Sequence, residues 1–271
     1  ILLGLAELLI ANKKSIKGKI VLVFQAAEEI IEGAKAMLKS AFFKTIKIDR
    51  VLGLHIWNQI ESGKVAVNPN IVFASADSFK VSIYGLGGHA ALPEATIDPI
   101  VIASSIVLLS QTIVSRNISP NKMGVLTFGK FNGGTASNII PEKVILQGTI
   151  RSYDENTRLT IIKRLEELVM KTSDSFGGKS EFEIVSGAGA VINNSAWASE
   201  VAKSASLIVG EENIITSAPI SVGDDMSEFM KLAPGCYILI GAKKEGTGPH
   251  HSSKFDFDEE CLGVALRVMF E

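Results

Sequence analysis

The chain has 271 residues, 46% of them hydrophobic and 21% charged, with a formal net charge of −2. This length and composition describe one large or two ordinary globular domains, each with a real core. The balanced charge excludes the basic footprint of a nucleic-acid or anionic-membrane binder, and no apolar run in the sequence approaches the roughly 20 residues that a bilayer helix needs.

The chain opens on an apolar segment, Ile1 to Ile10, without the basic leader or small-residue cleavage site of a signal peptide. It reads as a helix over about residues 1–13, already under way at Ile1, and the natural protein is expected to begin upstream. Lys19-Ile20-Val21-Leu22-Val23-Phe24 predicts a strand over 19–25, and Ala, Leu and Met at helical spacing predict a helix over about 30–39. Arg50 to His55 predicts the next strand. Apolar strands alternating with helices imply a sheet covered on both faces, which binds ligands beyond the carboxyl ends of its strands. Glu28, Glu29 and His55 all fall at such ends.

The pattern changes near Phe73. Ser78 to Tyr84 alternates apolar and polar residues, the mark of a half-buried strand. A Gly/Pro loop follows, then a helix over about 99–116, strands near 123–131 and 143–152, a helix from about 154 to 174, and a strand near 181–185. This β-α-β-β-α-β order is that of a split, ferredoxin-like α+β unit. The sequence therefore predicts an α/β domain made of residues 1–74 and 187–271, interrupted by an inserted α+β domain over 75–186. Helices near 196–209, 226–231 and 259–269 and a buried strand at 237–240 complete the first domain. Cys236 and Cys261 stand far apart without CxxC partners; they read as small buried residues of a cytoplasmic protein rather than a thiolate metal site or a disulfide framework.

Adjacent carboxylates beside an apolar strand are costly unless something pairs with them, and a cation is the simplest partner. His55 at a strand end and His250-His251 in a Gly/Pro turn supply matching nitrogens. Zinc-like ions favour imidazole and carboxylate, and a catalytic site keeps a position for water, whose pKa the metal lowers. One glutamate is then a ligand and the other a base beside the same water. A single strand-end histidine or a solvated pair in a turn is otherwise an ordinary structural feature, and the constellation outweighs that bland reading.

His89 lies in Gly85-Leu86-Gly87-Gly88-His89-Ala90-Ala91-Leu92-Pro93. The loose GxGxxA pattern argues weakly for dinucleotide binding, because Leu92-Pro93 interrupts the helix that such a site requires. The glycines instead allow a tight turn that presents His89 as a donor able to polarise a carbonyl. Arg151 reads equally as a surface charge or as a fork for a substrate carboxylate. Asp258-Glu259-Glu260 reads as a helix N-cap.

The chain resembles the metal-dependent aminoacylase, carboxypeptidase and hippurate hydrolase family, in its amidohydrolase branch. The matching segments are Phe24-Gln25-Ala26-Ala27-Glu28-Glu29 (with Ala where the family usually has Pro), Gly53-Leu54-His55, Gly87 to Pro93 with Asp98-Pro99, Gly133-Gly134-Thr135-Ala136-Ser137-Asn138-Ile139-Ile140-Pro141, Gly148-Thr149-Ile150-Arg151, and His251-Ser252 before Phe255. The resemblance implies a zinc-peptidase-like catalytic domain, with Glu28 as general base and acid and Glu29, His55 and His251 as metal ligands. It implies that His89 reaches the active site of a neighbouring subunit in a homodimer formed through residues 75–186. Asn138 and Arg151 would hold the substrate, an N-acyl amino acid or short peptide. Gly223-Asp224-Asp225-Met226 resembles a family segment usually written Glu-Asp-Phe and reads as support around the site. The metal implied is zinc, with manganese or cobalt as alternatives, and up to two ions in a complete protein. The family's remaining ligands lie in a Cys/His-rich segment upstream of the position matching Ile1. The alternative expectation is therefore a catalytically silent, truncated fragment that dimerises through the inserted domain and holds one ion weakly or none.

Overall fold

A computed structural model describes residues 1–271. Leu2–Ala11 form helix α1, and Glu28–Ile30 form a single 3-10 turn. Two short helices follow, α2 (Gly33–Leu38) and α3 (Ala41–Thr45). The helix expected over 30–39 forms as α2 but starts only at Gly33, because Ile31 takes φ 59°, in the left-handed region, and closes the turn. The strand expected over 19–25 does not form: no strand of this chain pairs with that segment, and an apolar run without a ladder partner is extended chain rather than sheet.

β1 (Val51–Trp57), β2 (Val65–Ala66) and β3 (Ile71–Phe73) lead into the long β4 (Ala76–Tyr84). Next come β5 (Gly88–His89), α4 (Pro99–Asn117), β6 (Gly124–Gly133), β7 (Ile139–Ile140), β8 (Lys143–Ser152), α5 (Glu155–Ser175) and β9 (Lys179–Ala188). The chain returns through β10 (Val191–Ile192), α6 (Ser195–Val209), β11 (Ile214–Ile215), α7 (Met226–Phe229), β12 (Gly235–Gly241) and α8 (Glu260–Phe270).

One sheet has the order β1-β12-β2-β11, with β1 parallel to β12. Its core joins Val65, Val67, Ile238 and Ile240 to Val201 of α6 and Ala265 of α8. Cys236 and Cys261 are free and buried in this same cluster, where they pack as small apolar residues. The other sheet, β6-β8-β4-β9, is antiparallel throughout and is covered by α4 and α5. Asp98 and Asp154 cap these helices by accepting from the Ile100 and Thr157 amides. By length and composition α4 could cross a bilayer. Its apolarity is explained by Ile102, Ala103, Ile106 and Ile113, which are buried against Phe79, Val81 and Leu146, each isoleucine contributing about 1.5–3 kcal/mol.

The antiparallel sheet has a root, where Ala76 and Asp77 at the start of β4 pair with Ala188 and Gly187 at the end of β9. Gly223 packs on this root so closely that a Cβ there would lie 2.2 Å from the Ala76 Cβ. That approach seats the neighbouring Asp224 between the start of β4 and Tyr237 of β12.

Candidate metal and catalytic site

The Glu28-Glu29 turn is held from both flanks by one buried carboxylate. Gln25 Nε2 donates to both oxygens of Asp225, at 2.7 and 2.8 Å, and the Ala34 amide donates to Asp225 Oδ2 at 2.9 Å. Gly33 permits the turn to close, since a Cβ there would meet the Ala26 carbonyl oxygen at 1.8 Å. Ala27 and Ile31, which bracket the two glutamates, have φ of 60° and 59°. The one other non-glycine residue with positive φ is His251, at 63°. A left-handed residue that is not glycine costs on the order of 1–3 kcal/mol, and such strain concentrates at working sites. Here all of it flanks or coincides with expected site residues.

Carboxylate oxygens of Glu28, Asp224 and Asp225 lie within 4.8 Å of one another. Asp224 is oriented by the Tyr237 hydroxyl, which donates to Oδ2 at 2.6 Å, and by the Met226 amide, which donates to Oδ1 at 2.7 Å. Gly53, opposite Tyr237 in the β1–β12 register, makes room for that ring: a Cβ at 53 would fall 2.8 Å from it. Partial burial, followed by the charges of Asp224, Glu29 and Asp225, pushes Glu28 up to about 7, while the Asp225 amide opposes the rise by donating to it. Burial also raises Asp224, against the Tyr237 and Met226 hydrogen bonds and the nearby His55. Burial and the Asp224 charge hold the Tyr237 hydroxyl well above its ordinary value, so it remains a donor.

His55 Nδ1 lies 2.6 Å from the Ile56 carbonyl oxygen. A carbonyl only accepts, so Nδ1 carries the proton and Nε2 keeps its lone pair, the form that binds a metal. The His55 ring centroid is 5.5 Å from those of both Trp57 and His250. His250 stacks on Trp57 at 4.5 Å, and its Nε2 accepts from the Asn58 amide at 3.3 Å. Burial first, then His55 and His251, lower the His250 pKa. His251 Nε2 lies 3.8 Å from Glu29 Oε2, with both side chains about three-quarters exposed. Glu29 and His251 thus meet, and His55 stands beside Asp224 and His250. Hard carboxylate oxygens with imidazole nitrogens at their margin, and a carboxyl raised by burial and then by its like-charged neighbours, fit a divalent cation.

The other expected residues lie on the antiparallel sheet. His89 pairs with Ile139 across β5 and β7, and the Ala90 amide donates to the Asn138 carbonyl at 3.1 Å, so His89 and Asn138 are neighbours. His89 Nδ1 accepts from the Ala91 amide at 3.0 Å, which leaves Nε2–H as its outward donor. A cleft of about 610 Å³ opens beside them, lined by Ala90, Ser137 and Pro141 among others. Arg151 sits at the opposite end of β8, near the root; extended strand separates it from Lys143, at the His89 end, by roughly 26 Å. One chain therefore does not gather His89 and Asn138 with Arg151.

Sequence reasoning gave Asp224 and Asp225 only a supporting part, yet they are the buried partners of Glu28. The signal was present: two adjacent acidic residues directly before a short helix, with no lysine or arginine between Ile214 and Met230 to answer them.

The family described as Peptidase family M20/M25/M40 matches residues 1–271. The chain is 36% identical over 270 residues to the N-acetyl-L-cysteine deacetylase of Bacillus subtilis (strain 168), covering 100% of this chain and 64% of that protein. It is 36% identical over 267 residues to thermostable carboxypeptidase 2 of Saccharolobus solfataricus, covering 96% of this chain and 67% of that one. The chain thus spans about two thirds of the length of these relatives. Among solved structures, a putative aminohydrolase from methicillin-resistant Staphylococcus aureus superposes with a TM-score of 0.88 at 32% identity, covering 98% of this chain and 69% of that one. A Bacillus subtilis protein described as a dinuclear metal binding peptidase shares the fold, with a TM-score of 0.78 at 24% identity over 99% of this chain and 68% of that one.

Proposed function

The chain belongs to peptidase family M20/M25/M40, and on that footing we propose that it hydrolyses the amide bond of N-acyl amino acids or short peptides with a divalent cation, zinc or alternatively manganese or cobalt. The observation that carries this reading is the convergence of Glu28 with Asp224 and Asp225, with Glu29 and His251 in contact at its rim. Glu29, His55 through Nε2, and His251 would hold the ion, beside the charge of the buried aspartates. When bound, such an ion makes hydroxide available near neutral pH. Glu28, up to about 7, is poised to accept a proton near neutrality and return it to the leaving amine.

His89 presents Nε2–H to the substrate carbonyl, and Asn138 and Arg151 hold its carboxylate or carbonyl oxygens. The separation of His89 from Arg151 along β8 supports action of His89 in the site of a neighbouring subunit, with residues 75–186 as the dimerising unit. Exposed Leu108 and Leu109 on α4 support the same arrangement.

A second reading, in which this chain is catalytically silent and associates through residues 75–186, is favoured by the strand-forming run 19–24, which finds no ladder partner. Hydrolysis of N-acetyl amino acids by the purified chain, with added zinc, manganese or cobalt and parallel elemental analysis, separates the two. Turnover that Glu28→Gln abolishes supports the first reading. No turnover, with the ion held weakly or not at all, supports the second, and equal turnover by Glu28→Gln removes the assigned mechanism.

A further inference from the structure

Thr149 and Arg151 lie two residues apart on β8 and so share one face of the sheet. Thr149 Oγ1 donates to the Asp77 carbonyl at 2.9 Å and accepts from Arg151 Nη1. Nη1 also donates to the Ile150 carbonyl at 3.0 Å, so both of its hydrogens are engaged within the protein. Nε and Nη2 of Arg151 donate to no protein acceptor. The one carboxylate close enough to act on Arg151, that of Asp77, is engaged by Arg158 Nε and Nη2 at 2.7 and 2.6 Å. A half-buried guanidinium is thereby fixed at one nitrogen and left open along its opposite edge.

We infer that Thr149 is a positioning residue, whose hydroxyl locks the Arg151 guanidinium so that its Nε–Nη2 edge is a two-donor fork for a planar carboxylate of the substrate. The inference rests on the proposed function in taking Arg151 as the carboxylate site. Two parallel N–H donors match the two oxygens of a free carboxylate, whereas a methyl ester presents a single good acceptor to the same edge. Without the Thr149 hydroxyl the guanidinium turns about its Cζ–Nε bond, and the Asp77 carbonyl loses a donor.

Two readouts on the full chain test this. In nitrogen-15 spectra, slowed guanidinium rotation gives Arg151 distinct Nη1 and Nη2 signals in the wild type and in Thr149→Ser, and one averaged signal in Thr149→Val. By calorimetry, Thr149→Val weakens binding of N-acetyl-L-alanine by about tenfold or more and leaves its methyl ester unchanged, and Thr149→Ser restores the difference. Distinct signals persisting in Thr149→Val overturn the lock. Equal losses for acid and ester in Thr149→Val overturn the positioning role. Equal binding of acid and ester by the wild type, or binding of neither, overturns the fork and with it the reading of Arg151, while the spectra still decide the lock separately.

Discussion

Glu29 Oε2 and His251 Nε2 come within 3.8 Å of each other from opposite ends of the chain. An exposed ion pair of this kind contributes about 0–1 kcal/mol and cannot itself fold the chain to bring them together. The backbone does so. The Glu28-Glu29 turn is pinned by Asp225 through Gln25 and Ala34, and His251 is set by its left-handed turn beyond the carboxyl end of β12.

Glu28 is the proton carrier of the proposed reaction, and replacement by Gln keeps its size while removing the base. Glu28→Gln is expected to lower kcat by about 10²–10⁴ with KM little changed. Steady-state kinetics on an N-acetyl amino acid, with metal content measured on both proteins, checks this.

In the metal-free chain, Glu28 is raised to about 7 from an ordinary 4.5. A carboxyl with a raised folded-state pKa favours the native state most below about 4.5, and this contribution is lost as pH rises through about 7. Metal-free protein is therefore expected to lose stability between pH 5 and pH 8. The loss is smaller in Glu28→Gln and smaller again with saturating zinc. Urea midpoints across that range measure it.

Asp225 is buried, accepts from Gln25 and Ala34, and donates its amide to Glu28. Asp225→Ala is expected to destabilise the chain by about 2–4 kcal/mol, because the buried Ala34 amide and the half-buried Gln25 side chain, one on each flank of the turn, lose their acceptor. Chemical denaturation measures the loss. The same variant is expected to weaken metal binding by about tenfold or more, since the turn that places Glu28 and Glu29 loses its anchor.

Gly33 and Gly263 are both helical, yet alanine is expected to act in opposite directions. At 33 the added carbon meets the Ala26 carbonyl at 1.8 Å, so Gly33→Ala is expected to cost about 1–3 kcal/mol or more. At 263, within α8, nothing lies within 4 Å, so Gly263→Ala is expected to stabilise by about 0.5–1 kcal/mol. Thermal melts of the two variants check both signs.

The elements that the sequence predicts correctly are those whose pattern is local. The alternation from Ser78 to Tyr84 marks a strand on its own account, and the helices expected over 99–116 and 154–174 form as α4 and α5. The run Lys19 to Phe24 misleads because strand formation depends on a partner, which its own residues do not encode. Ile31 delays the start of the next helix by a left-handed conformation that no β-branched residue advertises. The clustering of Glu28 with Asp224 and Asp225 is hidden for a different reason. It joins positions about 200 residues apart, and the resemblance carried only the supporting role of that aspartate pair.

In the proposed site, the Glu28 turn, Asp224 and the His251 loop surround one cation-binding pocket. Anomalous diffraction at the zinc edge, from crystals of the chain grown with zinc, tests it most directly. A peak is expected within coordination distance of Glu29 and His251 and beside the Glu28 carboxylate. Zinc bound elsewhere on the chain, with Glu29 and His251 uncoordinated, would contradict it.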